Sequence, residues 1–422
     1  MLEKVKLEKS LKLNIKWFEK SGVMDPPDGS WGVAERVLLT TNNEALEKTY
    51  QAFPANTRYG DYSISEHRRP DCCFETALMY LLASEVFGEI KYRRTAENIL
   101  TYLYCRSGMR NTMSEPHPMG VWRWSNERWH TEIYFDDNAW NCVIPLIIAK
   151  LAPDLGTKFN MVKTSLQLAS AMEEAFSCQF PEIDVKDGRY VWLGDLKSPH
   201  WGSLACMAFA FAFRETGEEK YSNAILKYNE YLDANKDSFT TSEHAYIVIG
   251  QSIAAAFLKN NSIEATALES ADRLLSKQDT RTGNIPSEWG KEAPVGEHLV
   301  DTIYTQNWAL LGLHTLCASN PNEKYRTAFD KAMGLLLKIQ DKSPEKYLHG
   351  CWRGMYDLKT KSWGGGDRFE GGANSIYSGW TNAPISIVTA FELLGKSLIN
   401  CSDYCFFSVN FLNARGAKDA NV

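Results

Sequence analysis

The sequence has no apolar run long enough to span a membrane, no excess of basic residues and no linker rich in proline or serine. Each absence excludes something. Without the apolar run, no membrane-embedded segment is expected. Lys and Arg number 46 against 52 Asp and Glu, a net charge of −6, which argues against nucleic acid or an anionic membrane as partner. The ten cysteines lack the spacing of metal ligands: Cys72 and Cys73 are adjacent, and Cys142, Cys206 and Cys317 sit in apolar runs. They read as reduced core thiols, with no zinc site or disulfide framework, and no metal or organic cofactor is implied. The opening residues, Met1-Leu2-Glu3-Lys4-Val5-Lys6, are charged and amphipathic rather than an apolar leader. That predicts a cytoplasmic protein if the chain is complete, and a periplasmic one if a leader was removed.

What is abundant is aromatic: 12% of the chain, with 13 Trp and 19 Tyr. Such residues fill cores, and they also line carbohydrate clefts. Two kinds of helix alternate along the chain. One is amphipathic; in 218–235 the apolar side carries Tyr221, Ala224, Ile225, Tyr228, Tyr231 and Leu232, with charges opposite. Stretches 7–19, 91–104, 159–176, 263–277 and 324–339 share the pattern. The other kind, 203–213, is apolar nearly all round and must be enclosed; 74–86, 139–151, 245–258, 308–318 and 383–394 are its partners. Six outer and six inner helices in alternation predict an all-α (α/α)6 toroid of helical hairpins. Because the repeat runs through the middle of the chain, 1–400 reads as one domain, followed by a tail over 401–422.

A polar and aromatic cluster precedes each inner helix. These are Glu66-His67-Arg68-Arg69-Pro70-Asp71, Thr131-Glu132-Ile133-Tyr134-Phe135-Asp136-Asp137-Asn138, Ser198-Pro199-His200-Trp201, Thr241-Ser242-Glu243-His244, Tyr304-Thr305-Gln306-Asn307, and the segment 374–382 with Tyr377 and Trp380. Antiparallel hairpins point all six N-termini at one mouth, where backbone N–H groups and helix dipoles converge. Helix capping explains one or two residues of each cluster. It does not explain the recurring Trp, Tyr and His, which favour a ligand-binding mouth. Three long segments decorate that mouth: 108–131 with Trp122, Arg123, Trp124, Trp129 and His130; 280–300 with Pro286, Glu288 and Trp289; and 346–374 with His349, Trp352, Arg353 and Trp363.

This arrangement resembles the six-hairpin glycosidase superfamily. Its sharpest motif, Tyr134-Phe135-Asp136-Asp137-Asn138-Ala139-Trp140, is similar to the Asp-Asp pair of family 76 α-mannanases, where the aspartates serve as nucleophile and acid/base. It is also similar to the element of unsaturated glucuronyl and rhamnogalacturonyl hydrolases in which an aspartate at an inner-helix start protonates the sugar's vinyl ether. Asp71 is the candidate for the second aspartate of those enzymes. The Trp-rich segment here precedes the Asp-Asp pair instead of following it.

Glycoside hydrolysis uses two carboxyl groups, one to protonate the leaving oxygen and one to act as nucleophile or base. Neighbouring carboxylates resist joint ionisation, which suits one of them to the acid role. Side chains one residue apart on a helix diverge by ~100°, so Asp136 and Asp137 act together only if the helix begins between them. The competing reading is that one caps the helix and the other favours its dipole. Asp137 is the first candidate for general acid and Asp136 the second. Glu35, Glu132, Glu243 and Glu288 are further acids; Glu35 equally suits an ion pair with Arg36, and Glu243 a helix cap beside an exposed His244.

Sugar C–H faces stack on indoles, and hydroxyls need fixed polar partners. Trp122, Trp124, Trp140, Trp201, Trp308, Trp352 and Trp380, with Tyr304, Asn307, Tyr377, His200 and His244, are therefore the candidate substrate contacts, about half the tryptophans being expected in the core. Arg123 and Arg353 could fork onto a sugar carboxylate. The reading is a glycoside hydrolase whose partner is an oligosaccharide, uronic-acid-containing glycans first. Alternatives are a sugar 2-epimerase using His200 and His244, or a glycan-binding barrel without catalysis.

Overall fold

The computed structural model describes residues 2–39, 56–113, 118–127, 131–180, 192–286, 298–365 and 372–401. Trp129, His130, Glu288, Trp289 and residues 402–422 lie outside the described residues. The inner helices are α2 (Pro70–Phe87), α4 (Phe135–Leu151), α7 (Pro199–Thr216), α9 (Thr241–Leu258), α11 (Gln306–Ser319) and α13 (Ala383–Leu394). Their outer partners are α3 (Ile90–Cys105), α6 (Met161–Gln179), α8 (Glu219–Asn235), α10 (Asn261–Lys277), α12 (Glu323–Ile339) and α1 (Lys4–Lys20); a short α5 (Pro153–Lys158) joins α4 to α6. Each inner helix packs on the next, and α13 closes the ring on α2. The fold is the (α/α)6 toroid expected from the alternation.

Burial follows the sequence pattern. On α8 the buried residues are Tyr221, Ala224, Ile225, Tyr228, Asn229 and Leu232, a stripe facing inward, whereas α7 is buried on every side from Gly202 to Ala212. Gly250 on α9 faces the Ser203 carbonyl so closely that a Cβ would lie 2.2 Å from it, which lets α7 and α9 pack nearly backbone to backbone. The sixth hairpin is built from helices far apart in sequence: α1 packs outside α13. Asn14 seals that joint, donating to the Gly350 carbonyl at 3.0 Å and to Asn382 Oδ1 at 2.8 Å, and accepting from Ser386 Oγ at 2.8 Å.

Two features depart from expectation. Most inner helices start earlier than the apolar runs do, so the polar clusters form their first turns. Prolines preset for the first helical turn open α2 and α7. Short strands also occur: β1 (Arg36–Leu39), β2 (Asn56–Arg58), β3 (Tyr62–Ser65), β4 (Leu299–Asp301), β5 (Met355–Asp357), β6 (Ser362–Trp363) and β7 (Ser375–Tyr377). They pair antiparallel in two sheets, ordered β2-β3-β1-β7 and β4-β5-β6. In the first, Val37 lies opposite Ile64 on one side and Ile376 on the other. This joins three segments distant in sequence, each leading into the mouth.

Outer and inner helices are also tied by charge. Arg326 of α12 grips Glu392 of α13 with both terminal nitrogens, at 2.9 and 2.6 Å, and His314 Nε2 lies 3.5 Å away. Burial alone would raise the Glu392 pKa; His314 and Arg326 outweigh it and lower it from 4.5 to about 2. A depressed folded-state pKa gives stability that is complete above the unfolded value and lost as pH falls through the folded one. Glu392→Gln should therefore destabilise the protein by about 1 kcal/mol at pH 7, a figure reduced for partial solvent screening. In urea unfolding, the gap between parent and variant should close between pH 4.5 and about 2.

Candidate active site

The N-terminal turns of the inner helices converge on one acidic and aromatic cluster. The α4 helix begins at Phe135, so Asp136 and Asp137 both fall in its first turn instead of straddling its start; contrary to expectation, the two carboxyls still lie close enough for the Asp136 charge to raise the Asp137 pKa. Neither caps it: the N-cap is Tyr134, without a side-chain cap bond. Both aspartates are buried, at 6% and 3% exposure, while Asp71 in the first turn of α2 is at 0%.

Arg69, just ahead of α2, is the hub. Its Nε and Nη2 grip Asp71 at 3.2 and 2.7 Å, Nη2 also donates to Asp137 Oδ1 at 2.6 Å, and Nη1 donates to Glu35 Oε1 at 3.2 Å. Glu35 is further paired with Arg36 Nε at 2.6 Å and with His67 Nε2 at 3.0 Å. Burial favours a neutral Glu35, but Arg36, His67 and Arg69 outweigh it and hold its carboxyl well below the usual range. Burial likewise disfavours the Arg69 charge, and Asp137 and Asp71 overcome it.

The carboxyls differ in how far they are engaged. Asp71 accepts from Arg69 on both oxygens and from Trp380 Nε1 at 2.5 Å on Oδ2. Asp137 Oδ2 and Asp136 Oδ1 are buried with no hydrogen-bond partner. Burial pushes the Asp137 carboxyl well above the usual carboxylate range; Arg69 opposes this, and the charges of Asp71 and Asp136 reinforce it. Asp136 uses its other oxygen to hold His200 Nε2 at 2.9 Å. The His200 ring lies between Trp201, 4.8 Å away at 13°, and Tyr246, 4.6 Å away at 15°.

Aromatic rings wall the rest. Trp140 stacks on Trp308 at 5.7 Å, Trp308 meets Trp380 edge-on at 5.1 Å, and Trp380 lies 5.4 Å from His200. Arg69 lies over Trp124 at 5.6 Å, and Tyr304 is 6.4 Å from His200. Trp124, Tyr134, Trp201 and Tyr304 are half-buried, whereas Asp71 is fully buried. Asn307 reaches the same centre, donating to the Trp380 carbonyl. Among the described residues no three His, Cys, Asp or Glu side chains are grouped to hold a metal ion.

Other expected contacts are placed elsewhere. Trp122 is a core residue, edge-on to Phe74 and Tyr104. Trp352 is fully buried and donates its indole N–H to the Leu336 carbonyl. Arg353 is committed to Asp341 at 2.8 Å, and Arg123 reaches the Asn126 carbonyl at 3.4 Å. Tyr377 lies beneath the Arg36 guanidinium, 3.9 Å from its ring. His244 is buried, not exposed, and sits edge-on to Phe239, while Glu243 forms a capping box with Thr240. Sequence reasoning assigned no role to Arg69, Glu75 or Tyr246. Glu75 carried a usable signal: an acid one helical turn after Asp71 inside an otherwise apolar helix.

No family model matches the chain, and no curated protein matches it. Solved structures do. D-mannose isomerase aligns with a TM-score of 0.58 and 11% identity over 93% of this chain and 98% of its own. Unsaturated glucuronyl hydrolase from Streptococcus agalactiae aligns at 0.55 and 14%, covering 94% of each chain. Cellobiose 2-epimerase from Bacillus thermoamylovorans aligns at 0.52 and 11%, over 77% of this chain and 88% of its own. At such identities the likeness shows the fold alone, the (α/α)6 toroid.

The hub makes a stability prediction. Arg69→Met leaves Asp71, Asp137 and Glu35 buried without their shared cation, which should cost about 3 kcal/mol at pH 8. Lacking the cation, these carboxyls take up protons more readily when folded, so the cost should shrink as pH falls to about 5. Urea unfolding of parent and variant at the two pH values measures this.

Proposed function

We propose that the chain is a glycoside hydrolase acting on an oligosaccharide, with Asp137 as general acid and Asp136 as its partner carboxylate. The observation that carries this reading is the unpartnered, buried Oδ2 of Asp137, a carboxyl whose pKa burial and the charges of Asp71 and Asp136 raise well above the usual range. Asp137 gives its proton to the glycosidic oxygen as its bond to the anomeric carbon breaks. Water adds to that carbon and passes a proton to Asp136 Oδ1, the other open carboxylate oxygen. Asp71, with both oxygens taken, orients Arg69. Trp124, Trp201 and Tyr304 supply the rim on which sugar faces stack. With Arg123 and Arg353 held by protein groups, the preference for uronic acids loses its support, and neutral oligosaccharides stand equally.

A second reading is favoured by the Asp136–His200 pair. A carboxylate 2.9 Å from an imidazole held between two rings is a base for carbon-bound protons, as a sugar epimerase or isomerase requires. The enzymes of like fold include both chemistries.

The test is a glycan panel and a set of free sugars offered to the parent, Asp137→Asn and His200→Gln. The hydrolase reading expects new reducing ends from the parent and a loss of kcat of roughly 10²–10⁴-fold in Asp137→Asn. Interconversion of free sugars without bond cleavage, lost in His200→Gln and kept in Asp137→Asn, would establish the second reading in its place.

A further inference from the structure

Trp380 has a backbone that few aromatic residues adopt, with φ 50° and ψ −34°, between β7 and α13. Something must over-determine it, and three bonds do. Its N–H donates to Glu75 Oε2 at 2.8 Å, its carbonyl accepts from Asn307 Nδ2, and its indole N–H donates to Asp71 Oδ2 at 2.5 Å. The preceding Gly379 lets the turn lie directly on α2: a Cβ there would stand 2.6 Å from Cys72 Cα and 2.6 Å from Glu75 Oε2. Glu75 is 1% exposed, and its other oxygen has no hydrogen-bond partner.

We propose that Trp380 is a positioning residue, clamped by Glu75 and Asn307, whose indole N–H fixes the Asp71 carboxylate and through it Arg69 and Asp137. The clamp adds to the hydrolase reading, and the importance given to Asp137 rests on that reading. The order of contacts runs Glu75 to Trp380, Trp380 to Asp71, Asp71 to Arg69, and Arg69 to Asp137. Without the indole, Asp71 Oδ2 would keep only its Arg69 contact. Burial and the adjacent Asp71 charge raise the Glu75 pKa well above the usual range, and what the geometry asks of it is an acceptor oxygen for the Trp380 N–H. Its amide counterpart should therefore work in its place, and an alanine should not.

The test reads the indole N–H signals of the full chain labelled with ¹⁵N-tryptophan, at pH 7 without substrate. The Trp380 signal is assigned by its loss in Trp380→Phe or, if that variant does not fold, as the indole signal that moves upfield in Asp71→Asn. The proposal expects this signal to keep its place in Glu75→Gln and to move upfield in Glu75→Ala. A signal unmoved in Glu75→Ala would overturn the clamp, and so would equal movement in both variants. On any substrate the parent turns over, Glu75→Ala should lower kcat about 10²-fold with KM little changed, and Glu75→Gln should restore most of the loss. The spectra need no substrate. Loss of the hydrolase reading through an active Asp137→Asn would thus leave the clamp standing, and an unmoved indole would remove the clamp alone.

Discussion

One guanidinium makes the rest of this site possible. Asp71, Asp137 and Glu35 could not lie buried together without a cation among them, and Arg69 serves all three with its fork of donors. It does not serve them equally. Two of its nitrogens go to Asp71, one is shared with Asp137, and Glu35 takes the remaining contact alongside Arg36 and His67. That inequality is what separates otherwise similar carboxyls into one that is saturated, one that is strongly ionised and one left with an open oxygen.

The helical ring was legible in the sequence because it depends on periodicity, which is local. The stripe on α8 and the unbroken apolar run of α7 need only counting, and α13 begins and ends where its apolar run does. The starts of α2, α4 and α7 were less legible, since first-turn residues are polar for reasons of chemistry while their backbones are already helical. The strands were not legible. β1 and β3 are four residues each and buried on almost every position, so they lack the alternation that marks a half-exposed strand.

At the mouth, Asp71, Asp136, Asp137 and His200 were readable as polar residues that the inner-helix starts bring together, and the contacts that distinguish them were not. Whether a carboxyl is saturated or open depends on Arg69 and Trp380, and the latter lies 309 positions from Asp71. The tryptophans divide for a related reason. Trp17, Trp308 and Trp352 each give their indole N–H to a backbone carbonyl, whereas Trp140 and Trp201 have no such partner. Nothing local in the sequence tells these apart, because the accepting carbonyl comes from another turn or another element.

The pairing of β1 with β7 has a consequence for the order in which the molecule is completed. Arg36 stands opposite Tyr377, and Trp380 follows three residues later. A chain emerging from the ribosome can assemble hairpin after hairpin from local contacts, yet it has no finished mouth until β7 returns to β1. Closure of the ring and maturation of the site thus become a single late event. A partly opened chain would hold most of its helices without the Trp380 contact to Asp71, so an intact acidic cluster reports that β1 and β7 have paired.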